Sequence, residues 1–395
     1  MGSPSATNQA AATNLQPVRF ISDADKVKPP LPGTALCLSG GGYRAMLYHL
    51  GSLWRLNELG LLKDLTRVSS VSGGSITAGM LGLKWKKLTF DQQTKVATNL
   101  FDEVIKPVMG LADHTLDWVS VTEGIVNPFK SIADEIADGY RSHLYGHATL
   151  QDLPNDNEGP RFVINATNVQ TRVLWRFSKP FMGDYRVGLV KNPKTELAVA
   201  VGASSAFPPV LSPVELKLNQ SDFDPASAGP MFQPPYTTDV ILSDGGVYDN
   251  LGLETAWKEY DTILVSDGGG ATPDDPRPHH DWARHAYRIM ELLDNQVGSL
   301  RKRWVIGSFQ LNLRKGTYWG IRSNIADYNT PSSLPCPDNR TLELANTPTR
   351  LKAVGEELQQ RLVNWGYGVC DAAIRKHVNP ALPSPAGFPF KATGV

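Results

Sequence analysis

The stretch Thr34-Ala-Leu-Cys-Leu-Ser-Gly-Gly-Gly-Tyr-Arg-Ala-Met46 decides the fold of this chain. Its first part, Thr34–Leu38, is short and apolar and predicts a buried strand, which breaks at Ser39 into three consecutive glycines. Apolar residues then recur at helix-face spacing as far as Leu62, and Gly60 predicts where the helix ends. The stretch is therefore interpreted as a strand, a glycine-rich turn and a helix.

A second turn of the same kind follows. Residues Arg67–Val71 predict another strand, which runs into Ser72-Gly73-Gly74 and a further helical pattern. In open α/β folds, the turns at the carboxyl ends of neighbouring parallel strands form the edge that binds ligands. We therefore expect two helix N-termini to lie side by side at one edge of a parallel sheet.

The two turns differ in their chemistry. Gly40, Gly41 and Gly42 have no Cβ, so their N–H groups can converge on a small anion, aided by the positive end of the helix dipole. Ser72 lies at a sharp strand-to-helix corner, which lifts a side chain clear of the backbone. The first turn is a candidate oxyanion hole, and Ser72 is a candidate nucleophile.

Charge and cysteine content narrow the class of protein. The 395 residues include 39 Lys and Arg and 39 Asp and Glu, without the basic surplus usual in a protein that binds nucleic acid. The three cysteines, Cys37, Cys336 and Cys370, are far apart and favour a reducing compartment over a disulfide framework. No apolar run approaches the ~20 residues that cross a bilayer. We expect a cytoplasmic protein that contacts a membrane or micelle only peripherally.

The chain divides into a leader, one domain and a tail. Residues 1–30 lack the apolar core of a secretory signal and are expected to be a disordered leader. Residues 31–378 are expected to form a single α/β domain, with 301–378 as a C-terminal extension, and 379–395 to form a Pro-rich surface tail. Segment 84–160 is a helical insertion. It is either a lid or lipid-facing surface, or, as we favour, ordinary helices packed on the sheet.

Periodicity and residue type place the other elements. The predicted strands are Phe162–Thr167, Arg172–Phe177, Asp239–Leu242, Tyr260–Val265, Trp304–Leu313 and Thr317–Arg322. The predicted helices are Phe101–Met109 and Ile125–Ile132, broken by Pro107 and Pro128, then Thr195–Ala203, 282–300, 348–363 and 368–377, and residues 212–236 are expected to form a loop.

A serine nucleophile needs a base. None of the eight histidines follows a strand beside a glycine, and each is more typical of an ordinary surface or core residue: His49, His114, His143, His147, His279, His280, His285 and His377. Asp244 lies in the turn that follows the predicted strand Asp239–Leu242 and is followed by two glycines. We expect a parallel strand to carry it to the same edge as Ser72, where desolvation would raise its pKa above ~3.9. Asp267 begins a second Asp-Gly-Gly tripeptide and is the alternative base.

A nucleotide-binding protein is the rival class. Gly40-x-Gly42-x-x-Ala45 formally satisfies the dinucleotide fingerprint, which also wants an acidic residue at the end of the second strand. The second strand instead ends in Val71-Ser72-Gly73, and the nearest acid, Asp64, precedes it. An oxidoreductase or nucleotide-binding function is therefore disfavoured. No His, Cys or Asp cluster has metal-ligand spacing, so no metal or other cofactor is expected.

Four motifs in order resemble the patatin-like phospholipase family: Ser39–Ala45, Ser70–Gly74, Ser204–Pro208 and Asp244–Gly246. The first two are also similar to the corresponding motifs of cytosolic phospholipases, and the resemblance covers roughly residues 34–275. It implies a three-layer α/β/α fold with a mainly parallel central sheet. It also implies a lipid acyl hydrolase that acts through a Ser–Asp dyad without a metal.

Carried over residue by residue, the resemblance makes Ser72 the nucleophile and Asp244 the base. Gly40, Gly41 and Gly42 become the oxyanion hole, and Arg44 faces a head-group phosphate or the developing charge. The pattern Asp-Gly-Gly-Val-Tyr-Asp-Asn-Leu-Gly favours Asp244 over Asp267.

The chain departs from the family at two positions. Ser70 replaces the first glycine of Gly-x-Ser-x-Gly, and Ser39 stands where many patatins have aspartate. Both departures concern the detail of the turns.

The implied activity is that of a phospholipase A or lysophospholipase with a lipid substrate. Neutral-lipid or short-chain carboxylesterase activity, or acyl transfer, on the same dyad are the alternatives. A non-catalytic lipid-binding protein is less favoured, because it would have no chemical reason to keep Ser72, Asp244 and Arg44 together.

Overall fold

A ten-stranded sheet organises the computed structural model, which describes residues 29–116, 132–209, 211–270 and 274–395. In chain order the strands are β1 Leu31–Leu38, β2 Arg67–Ser70, β3 Arg161–Asn168, β4 Val173–Phe177, β5 Phe181–Asp184, β6 Gly188–Lys191, β7 Val214–Lys217, β8 Asp239–Asp244, β9 Tyr260–Asp267 and β10 Lys315–Gly320. Their order across the sheet is β10-β9-β1-β2-β3-β4-β5-β6, with β8 beside β3 and β7 beside β8.

The five strands from β10 to β3 pair in parallel and form the centre of the fold. Leu38 of β1 is level with Ser70 of β2 on one side and with Ser266 of β9 on the other. The turns that follow these three strands therefore leave the sheet side by side. The remaining strands pair antiparallel and extend the sheet.

Helices flank the sheet. They are α1 Gly42–Glu58, α2 Gly73–Lys84, α3 Lys106–Leu111, α4 Ile132–Tyr140, α5 Leu197–Ser204, α6 Gly246–Asp249, α7 Glu254–Trp257, α8 Trp282–Gln310, α9 Asp338–Ala345 and α10 Glu356–His377. Alternate residues of β1 serve two separate cores: Leu36 and Leu38 pack with α1 and α2, while Ala35 and Cys37 pack with α7 and Val305 of α8. The predicted mainly parallel sheet between helices is confirmed.

Helix α10 is continuous, so the prediction of two helices at 348–363 and 368–377 is wrong. Glycines that look like helix breaks in the sequence instead allow α10 to cross α1 closely. A Cβ on Gly366 would lie 1.9 Å from the Tyr48 carbonyl oxygen, and one on Gly51 would lie 1.9 Å from that of Val363.

The predicted strand Trp304–Leu313 is also wrong, because α8 continues to Gln310. Its buried residues there, Val305 and Ser308, are three apart, which is a helical spacing. The predicted loop 212–236 contains β7.

Pro107 does not interrupt the helical segment: the π-helix Phe101–Ile105 continues directly into α3, and Pro107 is the second residue of α3, where the helix type changes. The helix predicted at Ile125–Ile132 and most of the leader fall outside the described residues.

The tail is ordered by α10: the Asn364 amide donates to the carbonyls of Phe390 at 2.9 Å and Gly394 at 2.6 Å. No helix in the described ranges is long and apolar enough to cross a membrane.

Candidate active site

Ser72 and Asp244 approach each other from the ends of two strands that point in opposite directions. Strand β8 runs antiparallel to β3, so the expected parallel direction is wrong. Along β3, Ile164 is level with Ser70 of β2 and Ala166 is level with Asp244 of β8. The two strands thus meet end to end beside β3, and this arrangement brings Asp244 to Ser72.

The backbone of Ser72 adopts a conformation that L-residues rarely occupy, with φ 52° and ψ −121°. The following glycines make this corner possible. A Cβ on Gly73 would lie 2.1 Å from the Gly42 carbonyl oxygen, and one on Gly74 would lie 2.4 Å from that of Leu38. The sharp corner predicted from the sequence is therefore a strained strand-to-helix turn with Ser72 at its tip.

A hydroxyl network holds this turn. The Ser72 N–H donates to Ser204 Oγ at 3.0 Å, and Ser204 Oγ donates to the Asn165 carbonyl at 2.6 Å. Ser75 Oγ lies 2.9 Å from Ser204 Oγ and donates to Ser70 Oγ at 3.0 Å. Ser70, which stands where the family motif has its first glycine, therefore has a hydrogen-bond partner in Ser75. Ser204 is a positioning residue whose motif the sequence identified without giving it a role.

Asp244 is only 2% exposed. Burial raises the pKa of its carboxyl to about 7, while hydrogen bonding from the Gly246 N–H and the Ser72 hydroxyl acts in the opposite direction. Oδ1 accepts the Gly246 N–H at 2.6 Å. Oδ2 has no well-formed hydrogen bond within the described part of the chain, so the Ser72 hydroxyl interacts with this carboxyl only loosely. Asp244 therefore keeps a buried, open acceptor near the candidate nucleophile.

The glycine turn packs directly against Ser72. A Cβ on Gly40 would lie 3.1 Å from the Ser72 Cβ. The Gly40 N–H, however, donates to the Asn250 carbonyl at 3.0 Å. The prediction that all three glycine amides are free to bind an anion is therefore wrong for Gly40.

Gly41 and Gly42 retain open amides. Neither N–H has a hydrogen-bond acceptor among the described residues. Gly41 has φ 142° and Gly42 has φ 61°, values that favour glycine at both positions. Both amides begin α1, where the helix dipole favours negative charge.

With this geometry established, the comparisons with known proteins identify the family. The model of the patatin-like phospholipase family matches residues 36–257, which is more than half of the chain. The chain belongs to this family. Membership supports a lipid hydrolase in general terms, and no match is found among curated proteins.

Two solved structures similar to this patatin-like chain illustrate its wider relations. Human GIVD cytosolic phospholipase A2 in complex with methyl gamma-linolenyl fluorophosphonate is 16% identical, with a TM-score of 0.49; the alignment covers 92% of this chain and 60% of that one. VipD from Legionella pneumophila is 19% identical, with a TM-score of 0.35 and coverage of 88% and 68%. The chain thus spans three fifths of the human protein's chain.

In the second Asp-Gly-Gly tripeptide of this patatin-like chain, both carboxylate oxygens of Asp267 have partners. Asp267 Oδ2 accepts the Tyr318 hydroxyl at 2.6 Å and lies 2.6 Å from Lys302 Nζ. Burial alone would raise the pKa of Asp267, but the Lys302 charge and the hydrogen bonds outweigh it and lower the pKa. Asp267 is an ion-paired carboxylate without an open oxygen.

Arg44 lies beneath the glycine turn and is 3% exposed. Its Nε donates to the Gly268 carbonyl at 3.0 Å, and Nη1 donates to the Thr347 carbonyl. Nη2 has no partner among the described residues and lies 2.9 Å from where a Cβ of Gly41 would be. Burial lowers the pKa of Arg44 to about 10, which leaves it charged at neutral pH. Its role toward a substrate stays a prediction.

Asn250 is a residue of the site that sequence reasoning missed. Its side chain would clash with a Cβ on Gly40, at 2.3 Å, or on Gly246, at 2.8 Å, and its Nδ2 is 3.4 Å from the corresponding position at Gly269. The side chain therefore fills the space between three glycine turns. Asn250 lies six residues after Asp244, in the same turn and helix, and this proximity in sequence is the feature that could have identified it as a site residue.

His49 is a core residue. Its Nδ1 is 2.8 Å from Ser266 Oγ and its Nε2 is 3.0 Å from the Ser39 carbonyl. Burial lowers its pKa to about 4, so the ring is neutral and joins β9 to the glycine turn. No group of three or more His, Cys, Asp or Glu in the described ranges could hold a metal ion.

Two cavities of the described structure lie away from Ser72 and Asp244. One of about 310 Å³ is lined by Trp54, Tyr367 and the tail, and one of about 680 Å³ is lined by Trp85 and Phe90. Ser72 itself is 8% exposed. Neither cavity is lined by Ser72 or Asp244.

Proposed function

We propose that this patatin-like chain is a lipid acyl hydrolase that cleaves carboxylic esters through Ser72, Asp244 and a covalent acyl-enzyme. One observation carries the proposal. Ser72, held at φ 52° at the tip of a turn, faces a buried Asp244 whose Oδ2 is open and whose pKa lies near 7. Family membership supports the same reaction class.

The first step is acylation. Asp244 accepts the Ser72 hydroxyl proton as Oγ attacks the ester carbonyl, and a base with a pKa near the working pH suits this transfer. The Gly41 and Gly42 amides donate to the oxyanion, a stabilisation of ~2.7–4 kcal/mol per donor in a comparable site. The carbon–oxygen ester bond then breaks, and Asp244 gives its proton to the leaving alcohol. The acyl group remains on Ser72 Oγ.

The second step is deacylation. Asp244, ionised again, takes a proton from water as the water oxygen attacks the acyl carbonyl. The same two amides hold the second oxyanion. When the bond to Ser72 Oγ breaks, that oxygen recovers a proton from Asp244 and the fatty acid leaves. The dyad is regenerated without a change of redox state.

The substrate class is proposed to be phospholipids or lysophospholipids. The supporting observation is Arg44, a buried guanidinium with an open Nη2 beside Gly41, which can face a phosphate or the developing charge. Neutral lipids, short esters and acyl acceptors other than water are outcomes that the experiment separates.

Labelling with a fluorophosphonate tests the nucleophile. Wild type should be labelled, Ser72→Ala should not, and Ser142→Ala, which removes an exposed hydroxyl in the helical segment 84–160, should be labelled like wild type. Equal melting temperatures would show that all three proteins are folded. Undiminished labelling of Ser72→Ala would overturn the assignment.

A substrate panel tests the class. Phosphatidylcholine, lysophosphatidylcholine, triacylglycerol and p-nitrophenyl butyrate are incubated with wild type and Ser72→Ala, and the products are identified by mass. Ser72-dependent release of fatty acid from either phospholipid is the expected result. Turnover of p-nitrophenyl butyrate alone would favour the short-ester alternative, and transfer of the acyl group to an added alcohol would favour acyl transfer.

A further inference from the structure

The connection between α9 and α10 passes over the glycine turn that begins α1. We call residues 346–354 of this connection the strap; it contains no helix or strand, and most of its residues are exposed. The Tyr43 N–H donates to the Arg350 carbonyl at 2.9 Å, and a Cβ on Gly42 would lie 2.5 Å from the same oxygen. The backbone of Arg350 therefore forms a wall against which the turn packs.

The strap also holds Arg44, which lies beneath the turn. Arg44 Nη1 donates to the Thr347 carbonyl. Three consecutive residues, Gly42, Tyr43 and Arg44, thus contact the strap. The N–H groups of Gly41 and Gly42, by contrast, have no acceptor among the described residues. The strap therefore fixes the turn without occupying the two amides that we assign to the oxyanion.

The far side of the strap is fastened to the residues that follow α3. The Leu116 N–H donates to the Leu351 carbonyl at 2.7 Å, and the Ala353 N–H donates to Thr115 Oγ1 at 3.0 Å. The Leu351 side chain is 4% exposed and belongs to the main hydrophobic core, although the residues on either side of it are exposed. The strap is therefore held at both sides, with Leu351 as its buried anchor.

Gly41 and Gly42 cannot hold their own amides in place. Glycine is the most conformationally free residue, and it has no side chain through which neighbours can fix it. An oxyanion hole, in contrast, stabilises a transition state because its donors already point at the developing charge, and a misplacement of ~1 Å can cost about 10²-fold in rate. A contact from outside the turn must therefore restrict these glycines, and the strap makes such a contact.

We propose that the strap positions the Gly41 and Gly42 amides for the oxyanion, and that Leu351 is the positioning residue that anchors the strap. The inference rests on the proposed function, because it concerns a step of that reaction. Residues 346–354 lie beyond residues 36–257, the part of the chain that the family model matches. On this proposal the C-terminal extension completes an active site whose nucleophile and base lie within the matched part.

Two matched Leu→Ala variants test the proposal. Leu351→Ala should lower kcat for p-nitrophenyl butyrate about tenfold and leave KM within about twofold, because the donors are misplaced while the substrate site is kept. The control is Leu153→Ala. Leu153 is 1% exposed and lies at the far end of α2 from Ser72, where a Cβ on Gly82 would be 2.6 Å from Leu153 Cδ2. Both variants should lower Tm, but Leu153→Ala should keep kcat within about twofold of wild type when assayed well below its Tm.

Thr115→Val is a milder variant at an exposed residue. It keeps the side-chain shape and removes the oxygen that accepts the Ala353 N–H, so it should lower kcat in the same direction as Leu351→Ala and by less. The pH midpoint of kcat/KM should stay near 7 in both strap variants, because Asp244 is unchanged. Wild-type kcat in both folded variants would overturn the proposal. So would a raised KM at constant kcat, which would assign the strap to substrate binding, or a moved midpoint, which would assign it to Asp244.

Amide hydrogen exchange of the full chain separates this proposal from the proposed function, since it requires no activity. Peptides that contain Gly41–Ala45 should exchange faster in Leu351→Ala than in wild type and Leu153→Ala, because the Tyr43 N–H loses a fixed acceptor. Faster exchange without any Ser72-dependent hydrolysis by wild type would reject the hydrolase and leave the hold of the strap on the turn intact. Unchanged exchange together with Ser72-dependent hydrolysis would reject the strap and leave the hydrolase intact.

Discussion

The two Asp-Gly-Gly turns of this protein share a sequence and a local geometry but not a chemistry. Asp244 and Asp267 each end a strand, each is 2% exposed, and each accepts the second following N–H on Oδ1, from Gly246 at 2.6 Å and Gly269 at 2.9 Å. They differ at Oδ2. Asp244 leaves this oxygen without a well-formed partner among the described residues, whereas that of Asp267 meets Lys302 and Tyr318.

The difference shows that the tripeptide determines the turn, while residues distant in sequence determine the acid–base behaviour. Burial raises the pKa of Asp244 to about 7. The same burial at Asp267 is outweighed by Lys302 and hydrogen bonds, which lower the pKa. Position differs as well, because β8 meets β2 end to end and β9 lies beside β1. Asp244 is therefore the carboxyl that faces Ser72.

Exchanging each carboxyl for an amide gives the largest expected contrast. Asp244→Asn should lower kcat for p-nitrophenyl butyrate by about 10²–10⁴-fold, because it removes the general base. Asp267→Asn should lower it by less than about tenfold, since that side chain supports the fold. Steady-state kinetics on proteins shown to be folded by thermal melting measures both. The opposite ranking would exchange the roles of the two residues.

Asn250 links the two turns and gives the next largest effect. Its side chain fills the space between Gly40, Gly246 and Gly269. Asn250→Ala should lower kcat by up to about 10²-fold through misplacement of the dyad and the glycine turn, with KM nearly unchanged. The Asn250 carbonyl, which holds the Gly40 N–H, is kept in this variant. A rise in KM at constant kcat would instead indicate substrate binding by Asn250.

The pH dependence of activity separates the two carboxyls. The proposed base must be ionised, so kcat/KM should rise with pH, reach half of its maximum near pH 7 and level off above about pH 8. At pH 6 it should be about tenfold below the plateau. Lys302→Gln removes the cation at Asp267 and should leave this profile in place, because Asp267 is not the base. An acidic limb near pH 4 would show that the base is not a desolvated Asp244.

The sequence could predict what is local to each turn and could not predict what depends on distant partners. The glycines after Ser72 and Asp244 are dictated by backbone approach within a few residues, and they identified both positions. The direction of β8 is set by its pairing with β3, whose paired residues lie 74 to 78 positions earlier in the chain, so no local pattern shows that β8 is antiparallel.

The same limit explains the other errors. The Gly40 amide is occupied by a carbonyl 210 residues later, at Asn250, and no local pattern reports this bond. The close crossing with Tyr48 that requires Gly366 involves another part of the chain, so residues 363–368 alone do not show that the helix continues. Apolar residues after Trp304 suggested a strand, since an exposed apolar helix surface does not follow the usual amphipathic pattern.

The smallest expected effect is on thermal stability, where the Asn variants of Asp244 and Asp267 should shift Tm in opposite directions. The folded pKa of Asp244 is raised to about 7 from an ordinary value of 3.8, so its contribution to stability is present below pH 4 and is lost as pH rises through 7. At pH 8 the buried Asp244 is charged, which destabilises the folded state. Asp244→Asn removes this buried charge and should raise Tm by about 2–4 °C at pH 8 and by less at pH 5. The folded pKa of Asp267 is lowered, so its charged form stabilises the fold above pH 4, and Asp267→Asn should lower Tm at pH 8. Calorimetry at the two pH values measures these shifts. Two variants that move Tm in the same direction would mean that the environments of the two carboxyls are alike, and the comparison would fail.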